Sequence, residues 1–253
     1  MEKKKESILY DDPVYLEPLL PRDVVLNPAL ELAHDLQAEA ARLVGMVQGG
    51  AARELSGLLR AMNSYYTNRI EGQHTLPRDI EAAVARNYDA NDEIRRKQHL
   101  AIAHMQAEQW AESHYANTPW QQLFAPAVVQ TLHQQLFTAL SPEHLQAAHA
   151  TEAAQLLVPG QLRTVNQQVR VGKHDAPEAA SLPAFLNRFE QAYSGFRSGE
   201  QALIALACAH HRLAWIHPFA DGNGRAARRV GCTRTTWRPV NTQTPGTPPR
   251  CSR

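Results

Sequence analysis

The chain has 253 residues with 26 basic and 25 acidic side chains, which gives a formal net charge of +1. This length is ample for a hydrophobic core in one domain or in two small ones. The basic residues are unevenly placed, because residues 229–253 hold five arginines and no acidic residue. The rest of the chain is slightly acidic, so its charge gives no argument for nucleic-acid binding.

Alanine, leucine, glutamine and glutamate are abundant, which predicts a mainly helical fold. Residues 1–45 are predicted to form a lead-in and a first helix, and residues 46–118 a helical region. Within that region we expect helices at about 51–71, 76–87 and 89–115. The third should bury a stripe formed by Ile94, Leu100, Ile102 and Met105.

The charged start Met1–Glu6 is followed by no apolar run of signal-peptide or membrane-span length. The three cysteines form neither a paired framework nor a metal-ligand spacing. We therefore expect a cytoplasmic protein with reduced thiols and no membrane partner.

The second half begins with a predicted helix at about 127–140. Between Gly160 and Pro177, Val165, Val169 and Val171 alternate with polar residues, and Gly172 suits a turn, so we predict a short hairpin. Two further helices are predicted at about 181–196 and 199–216. The second of them is nearly all apolar and should be the buried central helix.

The most informative stretch, His217–Arg228, reads His-Pro-Phe-Ala-Asp-Gly-Asn-Gly-Arg-Ala-Ala-Arg. Gly222 and Gly224 allow turn conformations that let an anion approach the backbone. If a helix begins at this turn, its free N–H groups point at the same anion. Arg225 and Arg228, three residues apart, would share a helix face and could both reach phosphate oxygens.

Two other side chains of this stretch suit phosphate transfer. Asp221 is a hard oxygen ligand for the Mg²⁺ that accompanies a nucleotide, and His217 can take a proton near neutral pH. A Gly-Asn-Gly turn alone is usually structural, but here five residue types coincide at fixed spacing. His210 and His211 have no third ligand nearby, so we interpret them as structural helix histidines and not as a metal site.

The stretch resembles the signature of the Fic family, His-x-Phe-x-(Asp/Glu)-Gly-Asn-Gly-Arg-x-x-Arg, at every fixed position. The resemblance implies an all-α Fic fold with a short β-hairpin flap and a core domain at residues 119–228. It also implies a protein adenylyltransferase that uses ATP and Mg²⁺. In that reaction a Ser, Thr or Tyr hydroxyl of a target protein attacks the α-phosphate, pyrophosphate leaves and AMP is transferred.

The resemblance also implies roles for individual residues. His217 would be the general base, Asp221 would hold the Mg²⁺, and Phe219 is expected to anchor the loop in the core. The residues implied to bind phosphates are Gly222, Asn223, Gly224, Arg225 and Arg228, the last at the γ-phosphate.

A second stretch, Ser64–Gly72, would by itself be an ordinary helix end with a solvated glutamate. It matches the Fic inhibitory motif, (Ser/Thr)-x-x-x-Glu-(Gly/Asn), through Thr67, Glu71 and Gly72. The resemblance implies that Glu71 pairs with Arg228 and prevents productive binding of the γ-phosphate. In some relatives the same glutamate also helps to remove AMP from the modified protein.

The predicted hairpin fits the family's flap, which aligns a target segment by strand addition, here through Val169, Arg170, Val171 and Gly172. Residues 229–253 are rich in threonine and proline, so we expect an irregular, disordered tail. One hypothesis is that a frameshift or a premature end has replaced the original C-terminus.

Several alternatives stay open at this point. The same loop could serve AMP removal, transfer of another nucleotide or of phosphocholine, or a catalytically dead regulatory remnant. Self-modification and a homodimer are also left open.

Overall fold

The structure, a computed structural model, describes residues 9–47, 49–140, 157–196 and 199–235. Within these ranges the chain forms eight α-helices and one antiparallel pair of two-residue strands. The helices are α1 (Leu26–Met46), α2 (Gly49–Ile70), α3 (Pro77–Val84), α4 (Asp92–His114), α5 (Pro126–Phe137), α6 (Leu182–Tyr193), α7 (Gly199–Ile216) and α8 (Asn223–Thr235). The strands are β1 (Arg170–Val171) and β2 (His174–Asp175). The predicted mainly helical fold with a small hairpin is therefore confirmed.

Local sequence signals explain several helix ends. Pro77 and Pro126 open α3 and α5, where a missing N–H has no cost and a fixed φ favours the helix. Asn91 caps α4, because its side chain accepts hydrogen bonds from the backbone N–H groups of Glu93 and Ile94.

The core lies between α5, α6, α7 and α8. The predicted central helix α7 buries Ala205, Ala209, Leu213 and Ile216 against α1, α6 and α8. Six large aromatic side chains are almost fully buried, namely Phe124, Phe137, Phe185, Phe189, Tyr193 and Phe219. The end of α7 and the start of α8 are thus held rigidly, which fixes the loop between them.

The prediction for the buried face of α4 is wrong. Ile94, Leu100, Ile102 and Met105 are only partly buried. The fully buried face is formed instead by Gln98, Ala101, Ala103, His104, Ala107, Glu108 and Ala111. Alanines allow close approach of α2 and α8, and His104 and Glu108 find polar partners on those helices. Gln98 instead donates to the carbonyl of Asp79 and accepts from the N–H of Asp89.

Three further differences concern α1, the hairpin and α8. Leu32 on α1 is 71% exposed, although its side chain is apolar. The strands occupy only four residues of the predicted hairpin, 160–177. Helix α8 continues to Thr235 and buries Arg229 and Val230, so the irregular tail predicted from residue 229 is wrong for 229–235. Residues 236–253 lie outside the described residues.

The other predicted domain limits stay a prediction. Among the described residues, no helix combines the length and hydropathy needed to cross a membrane.

Candidate functional site

The loop between α7 and α8 contains residues 217–222 and has an unusual backbone. His217 and Gly222 both have positive φ angles, +51° and +75°. Glycine adopts this conformation without the strain that a Cβ causes. A Cβ at Gly222 would also lie 2.5 Å from the ring of Phe137, so the loop needs glycine for space as well.

The side chain of Asn223 holds the loop closed. Its Oδ1 accepts from the N–H of Phe219 at 2.8 Å, and its Nδ2 donates to the carbonyl of Phe219 at 2.8 Å. Phe219 is fully buried, as predicted. Both polar groups of the Asn223 side chain are therefore engaged within the loop, and a part for Asn223 in phosphate binding stays a prediction. Its place in the site is the start of α8.

His217 is oriented by the last turn of α7. Its Nδ1 lies 3.3 Å from the carbonyl oxygen of Ala214. Because a carbonyl only accepts, Nδ1 carries the proton and Nε2 keeps a lone pair. Burial, helped by the charge of Arg163, lowers the pKa of His217, while the Ala214 carbonyl, Glu71 and Asp221 oppose this shift. The neutral imidazole is the form that can accept a proton from a hydroxyl.

Arg163 lies beneath the loop, is 3% exposed and has only carbonyl partners among the described contacts. Its Nε donates to the carbonyl of His217 at 2.9 Å, its Nη2 donates to that of Pro177, and its backbone N–H donates to that of Pro218 at 2.9 Å. Burial lowers the pKa of Arg163 to about 10, which still leaves it charged at neutral pH. It joins the base of the hairpin to the loop.

Asp221 and Arg225 line the other side of the loop. One carboxylate oxygen of Asp221 accepts from the N–H of Gly222 at 2.5 Å, and the other lies 3.5 Å from Nη2 of Arg225. The Arg225 guanidinium also lies over the ring of Phe137, with 5.1 Å to its centroid. Such a ring contact favours a cation and fixes its plane.

Glu71 lies at the start of α8 and contacts Arg228, the residue with which the resemblance implied that it pairs. Its Oε1 accepts from Nη2 of Arg228 at 2.5 Å, and Thr67 Oγ1 accepts from Nε of Arg228 at 3.1 Å. The same Oε1 occupies the space that a Cβ on Gly224 would need. A carboxylate is therefore placed directly against the N-terminus of α8, where helix N–H groups favour an anion.

Gly72 fixes the position of Glu71. It has a φ of +75°, its N–H donates to the carbonyl of Arg69, and the N–H of Gln73 donates to that of Asn68. This pair of bonds is a Schellman motif, in which the residue after the helix takes the left-handed conformation. Glu71 is consequently the C-cap residue of α2.

A buried polar cluster fastens α2 and α4 to α8 beside this contact. Arg229 lies 3.0 Å from Oε2 of Glu108, and its Nη2 donates to the ring and to the carbonyl of His104. Asn63 on α2 donates to Oε1 of Glu108 at 2.8 Å. Burial and then the positive charge of Arg229 lower the pKa of His104 well below its usual value, so the ring is a neutral acceptor.

His133 on α5 lies below the loop and is fully buried. Its ring is stacked on that of Phe219 with 3.8 Å between centroids. Nδ1 accepts from the N–H of Gly160 at 2.8 Å, and Nε2 lies 3.0 Å from the carbonyl oxygen of Asp221. Burial lowers the pKa of His133 to about 4.

The hairpin is attached next to His217. Nε2 of His174 donates to the carbonyl of Trp215 at 2.9 Å, which ties β2 to the last turn of α7. Arg170 and Val171 on β1 are exposed, and Gly172 has a φ of +60° in the turn. The Val169 side chain is buried, and a part for this residue in docking a target by strand addition stays a prediction.

The donors present fit Mg²⁺. The ion is usually bound by one or two carboxylates together with phosphate oxygens and water, and Asp221 supplies one partly exposed carboxylate beside the cationic loop. The described residues contain no group of three or more His, Cys, Asp or Glu side chains that could hold a metal by themselves. His210 and His211 thus belong to no such group.

Sequence reasoning missed His133, Arg163 and the cluster around Glu108. His133 carried a signal, because it lies within the apolar face formed by Val129, Leu132 and Leu136. Arg163 carried none, since it stands in a loop without periodicity.

Comparisons with known proteins concern the family and the fold. Residues 123–233 match the Fic/DOC family. The chain is 41% identical to "Protein adenylyltransferase Fic" of Culex quinquefasciatus over 66 residues. The aligned region covers 24% of this chain and 12% of that protein. The protein of the same name from Drosophila willistoni is 42% identical over 62 residues, with the same shares of the two chains. The chain therefore spans about 12% of the length of these relatives.

Two solved structures share the fold. Fic-1 (aa134–508) from C. elegans has a TM-score of 0.57 at 19% identity, over 83% of this chain and 56% of that one. A Fic family protein from Desulfovibrio desulfuricans G20 has a TM-score of 0.52 at 19% identity, over 79% of this chain and 56% of that one. At this identity the likeness concerns the fold alone, which is the fold predicted from the sequence.

Proposed function

Because residues 123–233 form a Fic/DOC family domain, we propose that the chain is a protein adenylyltransferase whose resting state is held inactive by Glu71. It transfers AMP from ATP to a Ser, Thr or Tyr hydroxyl of a target protein. The names of the partial relatives support the reaction class. The contact of the Glu71 carboxylate with Arg228 and Gly224 supports the inhibition.

His217 is the general base in this proposal. Its Nε2 has a free lone pair, because Nδ1 donates to Ala214. The target hydroxyl loses its proton to Nε2 while its oxygen bonds to the α-phosphorus. The bond between the α-phosphorus and the bridging oxygen breaks, and pyrophosphate leaves. Since the protein contributes little covalent chemistry, positioning and charge stabilisation lower the barrier.

The phosphates are held at the start of α8. Backbone N–H groups at Gly222 and Gly224 and the guanidinium groups of Arg225 and Arg228 are the donors. Asp221 would hold Mg²⁺, which neutralises part of the phosphate charge. The exposed residues Arg170 and Val171 of β1 would pair with an extended target segment by strand addition.

Glu71 and a phosphate group compete for the same place. The carboxylate already neutralises Arg228 and lies against the N-terminus of α8. A γ-phosphate could pair with Arg228 only after Glu71 moves away, because both are anions that use the same donors. The resting chain should consequently bind ATP weakly or in a pose that does not react.

The test is transfer of label from ATP carrying ³²P at the α-phosphate, to the chain itself and to a lysate. We expect Glu71→Gly to raise labelling about 10-fold or more, which corresponds to about 1.4 kcal/mol. Ile70→Gly is the matched control, since Ile70 is the neighbouring, 68% exposed residue and its replacement leaves the carboxylate in place. Adding His217→Ala to Glu71→Gly should abolish labelling.

Equal labelling by Glu71→Gly and Ile70→Gly would refute inhibition by Glu71. If no variant transfers label from ATP, labelled GTP, CTP, UTP and CDP-choline separate another transfer reaction from a dead site. AMP removal is tested on chain that already carries labelled AMP. The release of this AMP is compared between chain that has the Glu71 carboxylate and chain that lacks it.

A further inference from the structure

We propose that His133 is a positioning residue of the anion site, which fixes the orientation of the peptide bond between Asp221 and Gly222. This role rests on the proposed function only in that the bound anion is taken to be a phosphate. His133 lies outside the His217–Arg228 stretch and comes from a different helix, α5.

The hydrogen bonds of the ring define its tautomer. The N–H of Gly160 donates to Nδ1 at 2.8 Å, so Nδ1 has a lone pair and no proton. A neutral imidazole then carries its proton on Nε2, and this N–H donates to the carbonyl of Asp221 at 3.0 Å. The opposite tautomer would place two N–H groups against each other and leave the Asp221 carbonyl without this donor.

The ring cannot easily turn away from these partners. It is fully buried, and it is stacked on Phe219 at 3.8 Å with an interplanar angle of 12°. The ring of Phe137 lies 4.8 Å away on another side. The donor at Nε2 is therefore preorganised, and the carbonyl of Asp221 is drawn toward the interior.

The orientation of this carbonyl decides where the next N–H points. A trans peptide is planar, so its C=O and N–H groups point in opposite directions. With the carbonyl of Asp221 held inward, the N–H of Gly222 faces the side where the Asp221 carboxylate and Arg225 lie. An anionic oxygen, that of Asp221, already accepts from this N–H at 2.5 Å.

A lock is needed because glycine does not choose an orientation by itself. Gly222 has a φ of +75°, and glycine populates positive and negative φ about equally. A flipped peptide would present a carbonyl oxygen to the phosphate in place of an N–H. Oxygen beside phosphate is repulsive, so a flip would both remove a donor and oppose binding.

Two substitutions separate the two hydrogen bonds of the ring. His133→Gln places an amide nitrogen as far along the side chain as Nε2, so it can still donate to Asp221. His133→Asn places an amide oxygen near Nδ1, so it can accept from Gly160 but cannot reach Asp221. Both variants lose the stacked ring, so their loss of thermal stability should be similar.

The assay is binding of inorganic tripolyphosphate to the full chain by calorimetry, with Glu71→Gly present in every variant to remove the competing carboxylate. We expect His133→Asn to bind about 10-fold more weakly than the parent or worse, and His133→Gln to stay within about 3-fold. Equal affinities of the two variants, or weaker binding by His133→Gln, would overturn the proposal. So would a parent that binds no tripolyphosphate.

Nitrogen NMR of the histidine rings gives an independent readout. The His133 signal should show protonation on Nε2 alone, and protonation on Nδ1 would overturn the assignment. Neither measurement requires AMP transfer. If the affinity pattern is found without any labelling from ATP, the adenylyltransferase proposal fails while the role of His133 stands. If labelling occurs and the two variants bind tripolyphosphate alike, the role of His133 fails alone.

Discussion

The buried ion pair between Glu108 and Arg229 gives a stability prediction with a definite size. Glu108 is 1% exposed and Arg229 is 3% exposed, and their charged atoms lie 3.0 Å apart. Glu108→Gln keeps the shape of the side chain but leaves the guanidinium of Arg229 without a counter-charge. Removing one partner of a buried pair costs about 3–5 kcal/mol. Because domains of ordinary stability have about 5–15 kcal/mol in total, this is a large loss.

The assay is urea unfolding of the full chain, followed by far-ultraviolet circular dichroism. With a slope of about 3 kcal/mol per M urea, the midpoint should fall by about 1–1.7 M while the slope stays unchanged. The control is Glu39→Gln, which removes the exposed pair with Arg42, 65% exposed on both sides. Exposed pairs contribute about 0.2–1 kcal/mol, so this midpoint should hardly move.

A double variant tests the reason for the loss. Glu108→Leu combined with Arg229→Met replaces both charges by apolar groups and should recover much of the stability. Asn63, which donates to Glu108, is exposed and can turn to water in that variant. A midpoint for Glu108→Gln as close to the parent as that of Glu39→Gln would refute the reasoning.

Two other predictions concern the loop and the acid range. Gly222→Ala should destabilise the chain by about 2–5 kcal/mol, because the strain of a positive φ adds to the clash of the new Cβ with Phe137. The control Gly172→Ala causes only the backbone strain, since a Cβ there would point into open space. Thermal unfolding of both variants measures the difference. Burial lowers the pKa of His104, so the unfolded chain binds a proton that the folded chain excludes, and stability should decrease as pH falls below about 6.5. Urea unfolding at about pH 7 and pH 5.5 measures this loss of stability, which should be smaller for His104→Gln than for the parent chain. An equal loss in the two proteins would contradict the assignment to His104.

The sequence predicted the helices and the site loop because their signals are local. Proline at a helix start, the apolar run of α7 and the glycine after α2 each act within a few residues. The pairing of Glu71 with Arg228 is different, since these residues lie 157 positions apart. It was predictable only through a resemblance of motifs, because no periodicity connects α2 to α8.

The face of α4 could not be predicted from hydrophobicity. Glu108 and His104 are buried because Arg229 and Asn63 meet them from two other helices. A polar side chain at a helical position is normally assigned to solvent, and only the tertiary partner reverses that assignment. The apolar residues Ile94 and Met105 are left only partly buried for the same reason.

The carbonyl groups of the loop explain why its signature alone is not sufficient for a formed site. The carbonyl groups of His217 and Pro218 both accept from Arg163. The carbonyl of Phe219 accepts from Asn223, and the carbonyl of Asp221 accepts from His133. Each of these acceptors is thereby engaged within the protein, and the N–H of Gly222 faces the anionic carboxylate of Asp221.

Only one of these donors, Asn223, belongs to the signature, while Arg163 and His133 come from the segment before the hairpin and from α5. A chain that kept His217–Arg228 but had other side chains at residues 133 and 163 would leave two of the four loop carbonyls, those of His217 and Asp221, without their donors. The Pro218 carbonyl would keep its donor, because that donor is the backbone N–H of residue 163. Its loop could then turn acceptors toward a phosphate, although every residue of the signature were present. The formed site is accordingly a property of three separated segments, and substitutions at residues 133 and 163 should impair anion binding without touching the signature.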